Sequence, residues 1–77
     1  MPQSVNRIAL GQRVRLVRKH EHLTQEELAR RVNISLSFLG HIERGSRKAS
    51  VETLINFANA LRVPIDFLLA DSLHDSN

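Results

Sequence analysis

The side chains that could carry acid–base or metal chemistry in this 77-residue chain are eight carboxylates and four histidines. Their spacing argues against both uses. His20 and His22 lie two residues apart, so on a helix they point to different sides. Neither they, His41 nor His74 has a cysteine or third ligand nearby to complete a set. Glu26, Glu27 and Glu52 fall in first helical turns, where the helix dipole accounts for them. No Ser/His/Asp arrangement or glycine-rich phosphate loop stands out. No enzyme, no metal and no cofactor is expected. The basic residues offer a different chemistry. Arg44, Arg47 and Lys48 form a cationic cluster whose long side chains can reach phosphates. Gln25, Ser35 and Ser37 add an amide and two hydroxyls near helix starts, where free backbone N–H groups also favour a phosphate.

The elements that position these groups lie between Thr24 and Gly45. Thr24 is an N-cap and Glu27 follows three residues later, the spacing of a capping box. Leu28, Ala29 and Val32 then share one helical face. Asn33, a residue that tolerates a left-handed backbone, ends that helix. Ser35 caps a second helix carrying Leu39 and Ile42 at i and i+3, and Gly45 stops it. Helix, tight turn, helix and glycine make a helix-turn-helix, whose second helix is the one that enters a DNA major groove.

Further helices are expected on either side. Leu10, Val14 and Val17 form an apolar stripe over a helix from about Asn6 to Glu21, with Arg7, Arg13, Arg15 and Lys19 flanking it. Ile8 and Leu16 lie off the stripe and are expected to be partly exposed. Leu23 is placed as a hydrophobic staple before the Thr24 cap. Ser50 caps a fourth helix with Val51, Leu54, Ala58 and Leu61 in a 3.6-residue period, widened by Ile55 and Phe57 so that burial on more than one side is expected. Val63-Pro64 breaks it. A short fifth helix comes next, with Phe67, Leu68 and Leu69 on one turn. Residues 1–5 are expected to be a flexible arm, 6–70 the folded domain and 71–77 a disordered tail.

Composition narrows the class. There is no cysteine, so no disulfide staple, and no apolar run approaches the ~20 residues of a membrane span. Nothing resembles a signal peptide, and a cytoplasmic protein that is not membrane-bound is expected. The net charge of +3 is unevenly spread. Residues 1–48 hold ten Lys/Arg against four acids, and residues 49–77 hold only Arg62 against four acids. A basic half carrying the helix-turn-helix suits a polyanion, with the acidic half facing away.

The pieces L-T-Q-E-E-L-A, I-S-L-S-F-L, I-E-R-G and S-V-E-T-L-I-N-F-A-N-A-L, in that order and spacing, resemble the Cro/C1-type helix-turn-helix family. The similarity runs from about Leu10 to Leu69. It implies an all-α, five-helix, lambda-repressor-like DNA-binding domain from a bacterium or phage. Matched by position, the base-facing candidates are Leu36, Ser37, Gly40 and His41, with Ser37 and His41 the polar readers. Leu36 departs from the polar residue often found there. It either packs on a thymine methyl or fills the first turn of the core. Gly40 also departs, and an in-helix glycine costs roughly 1 kcal/mol relative to alanine. Close approach of DNA or tight packing against the preceding helix would explain it. With few hydrogen-bonding groups on that face, specificity is expected to lean on methyl contacts, water and DNA deformability. Phosphate contacts fall to Gln25, Ser35, Arg44, Arg47 and Lys48. The resemblance pairs Arg18 with Glu43 as a structural ion pair.

The function these readings imply is that of a double-stranded DNA-binding transcriptional regulator, acting as a homodimer on a palindromic operator. The partner surface is placed on Leu61, Arg62, Ile65, Phe67, Leu68 and Leu69. With no effector domain in sight, occupancy is the expected mechanism. It would block RNA polymerase as a repressor, the protein's own operon being one target, or touch polymerase as an activator. The competing expectation is an antitoxin or protein-interaction module of the same fold. The short stretch after Leu69 weighs against that reading.

Overall fold

The computed structural model describes residues 5–72. They form five helices: α1 (Arg7–His20), α2 (Gln25–Val32), α3 (Leu36–Arg44), α4 (Val51–Leu61) and α5 (Ile65–Leu69). The first four begin at a polar cap that the sequence supplies. The Asn6 side chain accepts from the Ile8 and Ala9 amides, each at 3.1 Å. Thr24 and Glu27 exchange both bonds of the capping box, at 2.8 and 3.1 Å. Ser35 accepts from Phe38 N–H at 3.0 Å, and Ser50 from Thr53 N–H at 3.1 Å. Helix α5 starts after Pro64 without a side-chain cap. Asn33 (φ 60°) and Gly45 (φ 79°) turn the chain left-handed after α2 and α3. Arg62 does the same after α4 at φ 61°, so the helix ends there and not at Pro64 itself.

One core gathers the apolar faces. Leu10, Val14 and Val17 of α1 meet Leu28 and Val32 of α2, Leu39 and Ile42 of α3, and Leu54, Phe57 and Leu61 of α4. Leu68 closes it from α5, and Phe57 is the largest fully buried side chain. Gly11 sets how closely α1 approaches α3. A Cβ built there would lie 2.2 Å from the Ile42 carbonyl oxygen, so no side chain fits without moving a helix. The backbone of α1 therefore packs directly on that of the second motif helix.

Several sequence expectations change. Ile8 and Leu16 are exposed as expected, but Val51 (70%) and Ile55 (47%) are exposed too. The buried face of α4 runs through Leu54, Phe57, Ala58 and Leu61. Val51 stands in the first turn, and Ile55 lies at the flank of that face. Leu61 and Leu68, placed on the partner surface, are fully buried within the protein's own core and cannot serve there. Val5, assigned to the arm, packs against the core. Asp71 and Ser72, assigned to the tail, belong to the folded body. The Asn6 N–H, at the head of α1, needs an acceptor and finds the Ser72 carbonyl at 2.7 Å. Arg13 pairs with Asp71 and lays its guanidinium over the Phe67 ring, 4.6 Å from the centroid. The rest of the expected arm and tail, 1–4 and 73–77, lies outside the described residues. Among the described residues no helix is long and apolar enough to cross a membrane.

Candidate nucleic-acid interface

A buried carboxylate holds the second motif helix in place. Glu43 of α3 accepts from Arg18 Nε at 2.6 Å and from Arg18 Nη2 at 3.1 Å. Its Oε1 also accepts from Gln25 Nε2 at 2.9 Å. Arg18 spends its remaining Nη1 on the Leu23 carbonyl, at 2.8 Å. Arg18 and Glu43 are each 7% exposed. One carboxylate thus ties α3 to α1 and to the first residue of α2, with the forked geometry that makes arginine–carboxylate pairs directional. A buried pair barely offsets its own desolvation, so its use is positional: it fixes the angle at which α3 is presented.

On the outer side of α3, Ser37 and Leu36 are exposed, and Leu36 at 47% is therefore not a core residue. His41 is half-buried and bonded through Nδ1 to Ser46 Oγ at 2.9 Å. The Ser46 hydroxyl also donates to the His41 carbonyl at 3.2 Å. Which group donates in the Nδ1–Oγ bond depends on the imidazole tautomer, because the one Ser46 hydroxyl hydrogen can serve either acceptor. Gly40 is buried, yet nothing from α2 covers it most closely. The three atoms nearest to a Cβ built there all belong to the guanidinium of Arg44, at 3.1–3.7 Å.

Cationic and polar groups surround this face. Arg44, Arg47 and Lys48 are exposed and make no salt bridge among the described residues. Arg47 stands 6.0 Å from the centroid of the Phe38 ring. Gln25 gives one amide hydrogen to Glu43 and keeps the other. Ser35 accepts at its cap and keeps its hydroxyl hydrogen to donate. A cleft between α1, the start of α2 and α3 is lined by Arg15, Thr24, Gln25, Glu26, Leu36 and Arg44. From the sequence, Arg15 is only a flank of the α1 stripe. The signal for its place here is its position three residues before Arg18, on the turn of α1 that faces the motif. The Gln25–Glu43 bond and the Gly11 contact have no counterpart among the sequence expectations. No group of three His, Asp or Glu that could hold a metal ion exists among the described residues.

Residues 14–68 match a family described as helix-turn-helix, most of the chain and both motif helices included. The chain belongs to the Cro/C1-type helix-turn-helix family of transcriptional regulators. Its relatives and its fold are those of regulators and not of enzymes. It is 44% identical over 62 residues to an uncharacterized transcriptional regulator in the ATPase CF(0) region of Rhodospirillum rubrum, covering 80% of this chain and 57% of that one. It is 36% identical over 64 residues to the immunity repressor protein of Bacillus phage phi105, covering 83% and 44%. The chain thus spans about half the length of these two relatives. Among solved structures, the restriction-modification controller protein C.AhdI from Aeromonas hydrophila superposes with TM-score 0.77 at 34% identity, over 79% of this chain and 92% of that one. The biofilm master regulator SinR, solved in complex with DNA, superposes with TM-score 0.74 at 31% identity, over 78% and 97%.

Proposed function

We propose that this protein binds double-stranded DNA in a sequence-dependent way and represses transcription by occupying its operator. The observation that carries the reading is the presentation of α3. A buried arginine–carboxylate–amide network fixes the helix, and its outward face is left with Ser37, Leu36 and His41 exposed or half-exposed. Around that face stand groups able to hold phosphates: Gln25, Ser35, Arg47 and Lys48. The likeness to SinR, solved with DNA, and to a phage immunity repressor supports the same reading.

A homodimer on a palindromic operator completes the proposal. One recognition helix gives limited affinity, and two joined by a two-fold axis reach half-sites one helical turn apart, roughly 34 Å. With Leu61 and Leu68 committed to the core, the partner surface falls to Arg62, Ile65, Phe67 and Leu69, with Ile55 of α4 adding apolar area. Phe67 is 42% exposed and Ile55 47%. Autoregulation is part of the proposal, and the DNA upstream of the protein's own gene is the first site to test.

Fluorescence anisotropy of labelled upstream DNA against a shuffled duplex, at two salt concentrations, tests it. Discrimination of at least a thousandfold, with a protein-concentration dependence set by dimerisation, is expected. Equal, salt-sensitive binding to both duplexes would contradict specific recognition at this site.

A further inference from the structure

The sequence places Arg44 among phosphate contacts, at the far end of α3, whereas its guanidinium lies elsewhere. It folds back along the helix over Gly40, one turn nearer the N-terminus, with Nη1 at 3.1 Å, Nη2 at 3.6 Å and Cζ at 3.7 Å from the point a Cβ would occupy. Leu36, Gly40 and Arg44 fall at i, i+4 and i+8, so they line one face of the helix. Leu36 and Arg44 also border the same cleft. Arg44 is the only arginine in α3, is exposed, and has no carboxylate partner among the described residues. Its neighbour Glu43 is already committed to Arg18 and Gln25.

We propose that Gly40 is a positioning residue whose missing side chain lets Arg44 lie over the recognition helix and read a guanine edge in the major groove. The inference rests on the DNA-binding reading above. Three physical points carry it. The N-terminal part of a recognition helix meets base edges, and folding back over Gly40 moves this guanidinium toward that part. A guanidinium matches the O6 and N7 acceptors of guanine with two parallel N–H groups, the commonest specific side-chain–base contact. A glycine inside a helix costs stability, and a guanidinium seated on it gives that cost a function. Gly40 and Arg44 then act as one reading unit, beside Leu36 on a thymine methyl.

The geometry separates this role from a structural one. The nearest atoms to a Cβ at position 40 are the far end of a flexible side chain, so Gly40→Ala requires Arg44 Nη1 to give way by a few tenths of an ångström. Gly40→Ala should therefore fold with a thermal midpoint no lower than that of the parent, given the better helix propensity of alanine. Arg44→Lys keeps the charge and removes the fork.

Selection from randomised duplexes, with sequencing of bound DNA, is the test for the parent, Gly40→Ala and Arg44→Lys. The parent should enrich a two-fold motif with guanine at one position of each half-site. Arg44→Lys should lose that guanine preference by about tenfold or more and Gly40→Ala should weaken it at the same position, with the other positions unchanged. Arg44→Lys should also leave the salt slope of binding intact. If the parent enriches its motif and both variants enrich the same one, Arg44 is a phosphate contact and the inference is overturned. If the parent enriches no motif, the DNA-reading function itself falls, and this inference with it.

Discussion

Glu43 is one side chain on which three helices depend. Its two oxygens serve Arg18 and Gln25, and Glu43 and Arg18 are each only 7% exposed. Arg18→Ala leaves the carboxylate buried without a counter-charge and with only the Gln25 amide as partner, so a loss of about 3–5 kcal/mol in unfolding free energy is expected from urea denaturation. Replacing both partners by apolar residues of similar size (Arg18→Met with Glu43→Leu) should cost much less, while DNA affinity falls because α3 is no longer held at its angle. Glu27 gives a pH signature at the same scale. The Thr24 backbone N–H, then the Thr24 hydroxyl, hold its carboxyl below the ordinary value of 4.5. A lowered folded-state value stabilises the fold above the ordinary one, and the benefit is lost as pH falls through the folded-state value. The stability gap between the parent and Glu27→Ala, measured by urea midpoints, should therefore be present near about pH 7 and shrink below about pH 4. The sequence pairs Arg18 with Glu43 only through resemblance. Gln25's bond to the same carboxylate is invisible to it, because an amide side chain 18 residues away carries no periodic signal. The Leu36 alternatives could not be separated either, since a first-turn leucine reads the same whether it faces core or solvent.

At the scale of elements, the polar caps were the most legible feature, because Thr24, Ser35 and Ser50 each act on an amide three residues away; Asn6, which caps α1, was legible only as the helix's approximate start. Tertiary contacts between backbones left no such trace. Gly11 looks like a neutral interruption of α1, yet it is where α1 lies against the Ile42 and Glu43 carbonyls. Gly11→Ala improves helix propensity and should still destabilise the protein, by about 2–3 kcal/mol or more, because helix backbones must part. A stabilised variant in thermal unfolding would show that α1 and α3 are not packed this way. The end of α4 makes the opposite point. Val63-Pro64 marks a stop in the sequence, but the residue that turns the chain is Arg62, a long side chain in the left-handed region at φ 61°. Arg62→Gly should raise unfolding stability by up to about 1 kcal/mol, since a non-glycine residue there is strained. At Asn33, whose side chain already tolerates φ 60°, a change to glycine should matter less.

The whole molecule divides its labour between two halves of unlike charge. Residues 1–48 bring ten Lys/Arg and the motif, and residues 49–77 bring one Lys/Arg and four acids. That division was legible because charge needs no geometry to count. The partner surface was not, because apolar residues read alike whether they face a core or a second copy: Leu61 and Leu68 went inward, Val51 and Ile55 outward. If α5 carries the dimer contact, Phe67→Ala should leave the circular dichroism of the fold unchanged and weaken self-association in sedimentation by about tenfold, since a central aromatic is a common hot spot. DNA binding should then weaken most at low protein concentration. Arg47→Ala should instead weaken binding to every duplex and flatten its salt slope by about one unit, as the loss of one phosphate contact does. The expectations for DNA binding depend on α3, locked by Glu43, being the face that meets DNA. Titrating an upstream duplex into ¹⁵N-labelled protein and mapping amide shifts tests that directly. The largest changes are expected at Gln25, along Ser35 to His41 and in the loop of Arg47 and Lys48, with α4 quiet on its Leu54–Phe57 side. Changes confined to α4 and α5, with α3 silent, would contradict it.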